Sequence, residues 1–205
     1  DIEGRTALGL AASGGYAAVV RLLLARGADL HVGAPLVRAA EKGHAEVVEM
    51  LTEAGADIDA KDIRGHTVMD CAAREGRASV VRLLLAQGAD LHVGAPLVRA
   101  AEKGHAEVVE MLTEASADLD AKDIEGRTAL GLAASGGYAA VVRLLLARGA
   151  ALHVGAPLVR AAEKGHAEVV EMLTEAGADI DAKDIRGHTV MDCAAREGRA
   201  SVVRL

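Results

Sequence analysis

Three side chains that could act together in nucleophilic catalysis, His66, Asp70 and Cys71, lie close together in the sequence. Thiol-dependent acyl transfer needs a cysteine beside a base that a third group orients. Small buried cysteines are common, however, and are usually unreactive. The same set recurs further along the chain, at His188, Asp192 and Cys193. Since this recurrence indicates the copying of a module, we predict that the protein is not an enzyme and has no catalytic residues.

The eight histidines raise the question of a metal site. Tetrahedral metal sites need three or four convergent ligands. His31, His92 and His153 have no second ligand near them at a suitable spacing. The sequence also lacks a glycine-rich loop of the phosphate-binding or dinucleotide-binding type. We therefore predict no metal site and no cofactor.

The charge balance argues against nucleic-acid and membrane partners. The chain has 23 Lys and Arg against 30 Asp and Glu, which gives a formal net charge of −7. No basic stripe that could neutralise phosphates or anionic lipids is present. Arginines interrupt each Val/Leu stretch, so that no apolar run approaches the roughly 20 residues that cross a bilayer. We predict neither nucleic acid nor membrane as a partner.

The composition indicates a core built from small and aliphatic side chains. Apolar residues make up 51% of the chain, but Phe and Trp are absent and the only tyrosines are Tyr16 and Tyr138. A core of Ala, Leu and Val suits short, closely packed helices. The two cysteines occupy equivalent positions and suggest no disulfide framework. Cysteines without a predicted disulfide favour a reducing compartment such as the cytoplasm.

Internal repetition is the strongest signal in the sequence, and it predicts an array of modules. Residues 123–205 repeat residues 1–83 with a single difference, Asp29 against Ala151. Within this period, residues 30–57 recur at 91–118, with Gly55 changed to Ser116. An array presents similar surfaces many times, whereas a catalytic site normally gathers different residues at one place.

Each long module predicts two short helices joined by a glycine. In residues 58–90, the segment 67–73 (TVMDCAA) begins one helix and 79–85 (SVVRLLL) forms another. Apolar residues recur at helical spacing in the second segment, which predicts a wide buried face. Gly88 then follows the helix, where a left-handed residue ends it and glycine is favoured.

These residues resemble the ankyrin repeat, and the resemblance covers the whole chain. The family pattern appears as residues 6–12 (TALGLAA), 19–24 (VVRLLL) and 27–29 (GAD), and again as 43–48 (GHAEVV). The resemblance implies an all-α solenoid of helix-turn-helix repeats, with β-hairpin fingers on alternate repeats and shortened loops on the others. It predicts one array over residues 1–205 with repeats at approximately 1–29, 30–57, 58–90, 91–118, 119–151, 152–179 and 180–205, the last incomplete.

The short repeats depart from the family pattern in a way that predicts a notch. They lack the segment that corresponds to residues 60–64, so that Gly33 and Ala34 lead almost directly into a helix. Ala34 also replaces the capping threonine of the long repeats, Thr6 and Thr67. Pro35 compensates at the first helical position, because its fixed φ suits a helix start. A groove lined by the fingers is therefore expected to be interrupted at every short repeat.

Two single changes are expected to loosen the array locally. Ser116 takes the position of a helix-ending glycine, where a non-glycine residue costs about 1–2 kcal/mol. Ala151 lacks the carboxylate with which Asp29 can bond its own turn.

The resemblance implies a scaffold that binds a protein partner through its fingers and its concave inner-helix face. It also places His44, His105 and His166 where the family's Gly-His ring braces a loop. It puts Asp70 at the family's histidine position and Cys71 at a variable one. The candidate partner-binding residues are Leu10, Arg38, Lys61, Ile63, Arg64, Cys71, Arg99, Lys122, Ile124, Glu125, Leu132 and Arg160.

Two alternatives to the scaffold remain open. Repeat arrays ordinarily carry polar capping modules, whereas this chain reaches Leu205 within a predicted helix. Val202, Val203 and Leu205 are therefore expected to fray or to stack on further copies of the chain, and a head-to-tail contact that does not close grows into a filament. A structural segment of a self-stacking solenoid is the first alternative. A designed repeat protein is the weaker one, because Ser116 and Ala151 depart from a strict consensus.

Overall fold

The structure, a computed structural model, describes residues 6–62, 65–181, 183 and 187–204. The chain divides into two compact units, Asp1–Pro96 and Leu97–Leu205. Three of the candidate residues, Ile63, Arg64 and Leu205, lie outside the described residues. No helix among the described residues is long and apolar enough to cross a membrane.

The first unit consists of three helix pairs that stack side by side. The helices are α1 (Ala7–Ser13), α2 (Ala17–Ala25), α3 (Pro35–Lys42), α4 (Ala45–Glu53), α5 (Val68–Arg74) and α6 (Ala78–Ala86). The helices α1, α3 and α5 contact one another in sequence and form an inner row, while α2, α4 and α6 form an outer row. Each inner helix also packs on the outer helix that follows it.

The second unit repeats this arrangement. Its helices, of which the first begins at the unit boundary, are α7 (Pro96–Lys103), α8 (Ala106–Glu114), α9 (Ala129–Gly136), α10 (Ala139–Ala147), α11 (Pro157–Lys164), α12 (Ala167–Glu175), α13 (Val190–Arg196) and α14 (Ala200–Val203). The inner helices α9, α11 and α13 contact one another, and so do the outer helices α8, α10, α12 and α14. The predicted all-α stack of helix pairs is confirmed.

The core follows from the residue types of the repeat. Alanines at the ends of the inner helices, such as Ala39 and Ala40, are completely buried, because a methyl group lets neighbouring helices approach closely. Valines and leucines of the outer helices fill the space between the rows, and Val48, Leu51 and Leu84 have no exposed surface. Burial of each such side chain is worth about 1.5–3 kcal/mol.

Threonine caps the inner helices of the long repeats, as the sequence predicts. Thr6 Oγ1 accepts a hydrogen bond from the Gly9 N–H at 2.9 Å, and Thr67 Oγ1 accepts one from the Asp70 N–H at 3.0 Å. Asp70 completes a capping box, because its Oδ2 accepts the Thr67 N–H at 3.0 Å. Loss of such a cap typically costs about 1 kcal/mol.

Proline begins the inner helices of the short repeats, but the sequence pattern does not predict the conformation of the residue before it. Ala34 and Ala156 adopt left-handed φ angles of 47° and 48°. The loop that contains Gly33 packs closely against Gly9 of α1. A Cβ added at Gly9 would lie only 3.0 Å from the Gly33 carbonyl oxygen. Asp70 occupies the position of Gly9 in the next long repeat, and its Oδ1 accepts the Ala95 N–H at 2.8 Å. This position of the preceding helix thus contacts the following short loop in both repeats.

The predicted β-hairpin fingers are reduced to single bridges in the described residues. Lys61 pairs with Thr67 and Lys122 pairs with Thr128, each in an isolated antiparallel bridge. No strand occurs among the described residues. Ser116 adopts φ +65°, so the prediction of a left-handed serine at this helix end is confirmed.

Candidate partner-binding surface

The loop over residues 118–128, here called the Arg127 finger, is the most prominent candidate in the second unit. Its base is closed by the Lys122–Thr128 bridge and by a hydrogen bond from the Asp123 N–H to the Arg127 carbonyl oxygen at 3.0 Å. The Gly126 N–H then donates to the Asp123 carbonyl oxygen at 2.9 Å and closes the tip. The backbone of the finger is therefore fixed on both sides of its turn.

Asp123 is the centre of this finger, and its side chain is only 1% exposed. Its Oδ1 accepts the N–H groups of Glu125 at 3.0 Å and Arg127 at 2.9 Å. Its Oδ2 accepts Arg127 Nε at 2.8 Å, and Arg127 Nη2 lies 2.7 Å away. Burial alone would raise the pKa of Asp123, but the hydrogen bonds from Arg127 and Glu125 outweigh it and hold the pKa below its usual value.

Further charges surround this pair. Arg127 Nη1 lies 3.6 Å from Glu102 and 3.1 Å from Glu125. Arg99 Nη1 lies 3.6 Å from Glu102 and 3.9 Å from Asp123. Arg99 Nε is buried and has no hydrogen-bond partner among the described residues. Arg99 therefore supports the base of the finger and presents little surface of its own.

The tip of the Arg127 finger is open to solvent. Ile124 is 90% exposed, the highest value among the large apolar side chains of the described residues. Lys122 and Glu125 are also exposed on either side of it. A fixed loop with one aliphatic side chain between a cation and an anion can provide an apolar contact with a polar rim.

The equivalent loop of the first unit, residues 57–67, is here called the His66 finger. The Asp62 N–H donates to the His66 carbonyl oxygen at 2.8 Å, and the His66 N–H donates to Asp62 Oδ1 at 2.8 Å. The His66 ring approaches less closely than the arginine of the other finger, with Nδ1 3.5 Å from Asp62 Oδ2. Lys61 is exposed.

The inner-helix candidates differ from one another in exposure. Leu10 is 48% exposed and Leu132 is half-buried. Arg38 and Arg160 are half-buried, because each Nε donates to a carbonyl oxygen of its own loop, Gly33 or Gly155, at 2.8 Å. These two arginines thus fasten the loops of the short repeats and leave only part of the guanidinium for a partner.

Cys71 is not a surface residue, and its place among the candidates is wrong. It is 1% exposed in the core of α5. Burial, together with the negative charges of Glu41 and Asp62, raises the pKa of the Cys71 thiol to about 12. A neutral, buried thiol is a poor nucleophile. Its neighbour Asp70 is engaged in the capping box, so the three residues are parts of the repeat structure.

Two of the histidines after the loop glycines, His44 and His166, have the bracing role that the resemblance implies. His44 Nε2 lies 3.1 Å from the Ser13 carbonyl oxygen, and His166 Nε2 lies 3.0 Å from that of Ser135. Over the part of the chain that the structure describes, no cluster of three or more His, Cys, Asp or Glu could hold a metal ion.

The predicted stacking residues are divided between core and surface. Val202 is buried, whereas Val203 is 48% exposed. Met191 and Ile180, which are 40% and 44% exposed, line one pocket together with Val202.

Comparison with protein families gives ankyrin matches over nearly the whole chain. Models of three ankyrin repeats match residues 33–95, 71–155 and 97–184, and a single ankyrin repeat matches residues 3–33.

Named relatives include long proteins that combine ankyrin repeats with another domain. The Caenorhabditis elegans ankyrin repeat and KH domain-containing protein mask-1 is 34% identical over 98% of this chain, which spans 7% of that protein. The human ankyrin repeat and KH domain-containing protein 1 is 41% identical over 45% of this chain, equal to 4% of its own length. The chain therefore corresponds to a small part of these relatives.

Solved structures show the same fold over the full length. The ankyrin repeat domain of human ASB11 matches with a TM-score of 0.88 and 26% identity, covering 98% of this chain and 97% of that one. The ankyrin repeat domain of Bcl-3, a member of the IkappaB protein family, matches with a TM-score of 0.78 and 29% identity, covering 98% and 99%.

Proposed function

Because the chain belongs to the ankyrin repeat family, we propose that it is a non-enzymatic scaffold that binds a protein partner through its fingers and inner-helix face. Ankyrin repeat domains are generally protein–protein interaction modules. The finer assignment to the fingers rests on the residues of this chain. It places the main contact at Lys122, Ile124 and Glu125 of the Arg127 finger, with Lys61 of the His66 finger and Leu10 of α1 as the corresponding surface of the first unit.

The exposed Ile124 on a fixed base is the observation that carries this proposal. An aliphatic side chain that is 90% exposed gains free energy when a partner covers it. The loop beneath it is held by the buried Asp123 and by Arg127, so little conformational entropy is lost on binding. Each unit adds a half-buried arginine of an inner helix, Arg38 in the first and Arg160 in the second.

The pattern of titratable groups supports a binding function over a catalytic one. Burial keeps the Cys71 thiol neutral, with a pKa of about 12. The strongly hydrogen-bonded carboxylate, Asp123, has a lowered pKa and holds a loop. A general acid or base near neutral pH would need the opposite shift.

Selection of peptides on the full chain tests the proposal and needs no named partner. A phage-displayed peptide library is selected on the wild type, and the selected peptides are then measured against Ile124→Asp and Lys122→Glu. The matched control is Arg143→Ala, on the outer helix α10, whose side chain is 73% exposed. We expect the finger variants to weaken binding at least tenfold and the control to leave it unchanged, as the loss of a central apolar anchor does.

Two results would contradict the assignment to the fingers. In one, the selected peptides bind Ile124→Asp as tightly as the wild type. In the other, Arg143→Ala reduces binding as much as the finger variants do, which would place the contact on the outer helices. Circular dichroism of each variant establishes that the fold is retained.

A second candidate function is end-to-end association of copies, with Val203 and Met191 at the joint. Met191 is 40% exposed and Val203 is 48% exposed, so a second copy that covered them would bury apolar surface. We expect light scattering after size exclusion to show growth with concentration, and Met191→Glu to suppress it. A mass that stays monomeric over a hundredfold concentration range would contradict this candidate.

A further inference from the structure

The inner arginines of the three short repeats make different contacts, although each ends the same sequence, GAPLVR. Arg38 Nε donates a hydrogen bond to the Gly33 carbonyl oxygen at 2.8 Å, and Arg160 Nε donates one to the Gly155 carbonyl oxygen at 2.8 Å. Arg99 Nε is buried and has no hydrogen-bond partner among the described residues. Identical local sequences therefore give two arrangements, in one of which the arginine is fastened to its own loop.

The loops before these arginines also differ in conformation. Ala34 and Ala156 adopt φ angles of 47° and 48°. Ala95 has the same place in the middle loop, but it is not among the non-glycine residues of the described chain that adopt positive φ. Its N–H donates to Asp70 Oδ1 at 2.8 Å. A left-handed alanine thus accompanies a fastened arginine, and an alanine bonded to a carboxylate accompanies an arginine Nε without a partner.

One position of the preceding inner helix separates the two arrangements. It is glycine before the first and third short loops, at Gly9 and Gly131, and aspartate before the middle one, at Asp70. A Cβ added at Gly131 would lie 2.9 Å from the Gly155 carbonyl oxygen, which is the acceptor of Arg160. Because a carbon and an oxygen overlap at that distance, a side chain at this position and this placement of the carbonyl exclude each other.

The guanidinium of Arg99 lies among carboxylates of the second unit. Its Nη1 lies 3.6 Å from Glu102 Oε2 and 3.9 Å from Asp123 Oδ2. Asp123 is the buried centre of the Arg127 finger, and Arg127 supplies its nearest cation at 2.7 Å. The arginine that is not fastened to a loop therefore adds a second cation at the base of this finger.

We propose that Asp70 is a positioning residue for the Arg127 finger. Its carboxylate holds the Ala95 N–H and keeps the loop out of the left-handed form, so that Arg99 stays beside Asp123. In the two repeats that follow a glycine, the arginine fastens its own loop instead. This inference rests on the proposed function, because the finger is the contact that the scaffold uses there.

Nuclear magnetic resonance of the arginine side chains tests the proposal on the full chain. The chain is labelled with ¹⁵N-arginine, and single Arg→Lys variants assign the Nε–H signals of Arg38, Arg99 and Arg160. An N–H proton that is bonded to a carbonyl oxygen gives a signal downfield of one that is not. We expect the Arg38 and Arg160 signals to lie downfield of the Arg99 signal in the wild type, and an Arg99 signal at their position would overturn the proposal.

Reciprocal substitutions exchange the residue that separates the two arrangements. We expect Asp70→Gly to move the Arg99 signal downfield, since the loop carbonyl becomes its acceptor. We expect Gly131→Asp to move the Arg160 signal upfield, since the carbonyl that it bonds is displaced. Each variant carries a residue that an equivalent repeat already has, and circular dichroism establishes that the fold is retained. An arginine signal that stays in place in either variant would overturn the proposal.

The matched control is Asp70→Asn, which retains a side-chain oxygen that can accept the Ala95 N–H. We expect it to leave the Arg99 signal at its wild-type position, because the proposal depends on this acceptor. If Asp70→Asn moved the Arg99 signal as far as Asp70→Gly does, the hydrogen bond to Ala95 would not position the arginine and the proposal would fail.

The two readouts separate this proposal from the function proposed for the fingers. If Ile124→Asp weakens the binding of selected peptides while Asp70→Gly leaves the Arg99 signal in place, the positioning role fails and the finger assignment stands. If the Arg99 signal moves while Ile124→Asp binds the selected peptides normally, the finger assignment fails and the positioning role of Asp70 stands.

Discussion

The His66 finger and the Arg127 finger occupy equivalent places in two repeats and share the same central aspartate, but they are held with different strength. In the first, the imidazole Nδ1 lies 3.5 Å from Asp62 Oδ2. In the second, the guanidinium places Nε at 2.8 Å and Nη2 at 2.7 Å from Asp123 Oδ2. A planar cation with two aligned donors binds a carboxylate more strongly than a single ring nitrogen does.

This difference shows how a repeat array varies its surface without changing its fold. The backbone bonds that shape the turn are the same in both fingers, since each aspartate exchanges hydrogen bonds with the residue four positions later. Between the bridged residues of each finger, two positions differ, Arg64 against Glu125 and His66 against Arg127. The second of these supplies the side chain that lies against the aspartate. The fold therefore depends on the shared residues, while the attachment of the side chain to the aspartate depends on a variable position.

Removal of the central aspartate should give the largest effect, and it should be unequal between the fingers. We expect Asp123→Ala to lower the free energy of unfolding by about 3 kcal/mol, because Arg127 loses its closest buried partner. The matched Asp62→Ala should cost about 1–2 kcal/mol, because it leaves hydrogen-bond donors of the loop without their acceptor. Urea-induced unfolding followed by circular dichroism measures both. Equal losses would remove the difference that we infer between the fingers.

Acid should weaken the Arg127 finger in a defined pH range. The hydrogen bonds from Arg127 and Glu125 lower the pKa of Asp123 despite its burial. A lowered pKa in the folded state gives a stabilisation that is present above the unfolded value near 4 and is lost as the pH falls through the folded value. We expect Asp123→Asn to have a lower free energy of unfolding than the wild type at pH 7, and we expect this difference to disappear below pH 4. A difference that stays constant down to pH 2 would contradict the role of the Asp123 charge.

The same comparison of equivalent positions applies at the helix ends. Ser116 has φ +65° where Gly55 has φ +95°. Because serine is strained in this region, we expect Ser116→Gly to raise the free energy of unfolding by about 1 kcal/mol. Gly55→Ser should lower it by a similar amount. If both substitutions had no effect on urea-induced unfolding, the strain at Ser116 would be relieved elsewhere.

An exchange of His66 and Arg127 between the two fingers should give the smallest change in the free energy of unfolding, and it isolates the contribution of this one position. We expect Arg127→His to lower the free energy of unfolding by about 1 kcal/mol and His66→Arg to raise it by somewhat less. Both are measured at pH 7 and low salt, where the ion pair contributes most. The two changes in the free energy of unfolding must have opposite signs, since each variant gives one finger the residue that the other finger has at this position.

The repeated residues made most of the fold predictable. The caps of Thr6 and Thr67, the helix start at Pro35 and the left-handed Ser116 follow from local backbone chemistry. For the fingers, the described residues contain one antiparallel bridge each, between Lys61 and Thr67 and between Lys122 and Thr128, so the full hairpin stays a prediction.

The candidate site was less predictable, because it depends on packing between repeats. The variable position of Cys71 in the family pattern predicts a surface residue, but α5 buries it. The left-handed Ala34 is not predictable from local sequence, since alanine rarely adopts positive φ, and its loop packs against Gly9 of the preceding helix.

Photo-crosslinking from the tip of the Arg127 finger tests whether a partner binds at Ile124. A photoreactive benzoylphenylalanine replaces Ile124 in one variant and the exposed Ala140 of the outer helix α10 in another, and each is irradiated with the peptides selected on the wild type. If partners bind through the Arg127 finger, we expect covalent adducts from position 124 and none above background from position 140. Adducts from position 140 alone would show that partners bind the outer helices and would contradict binding through the finger.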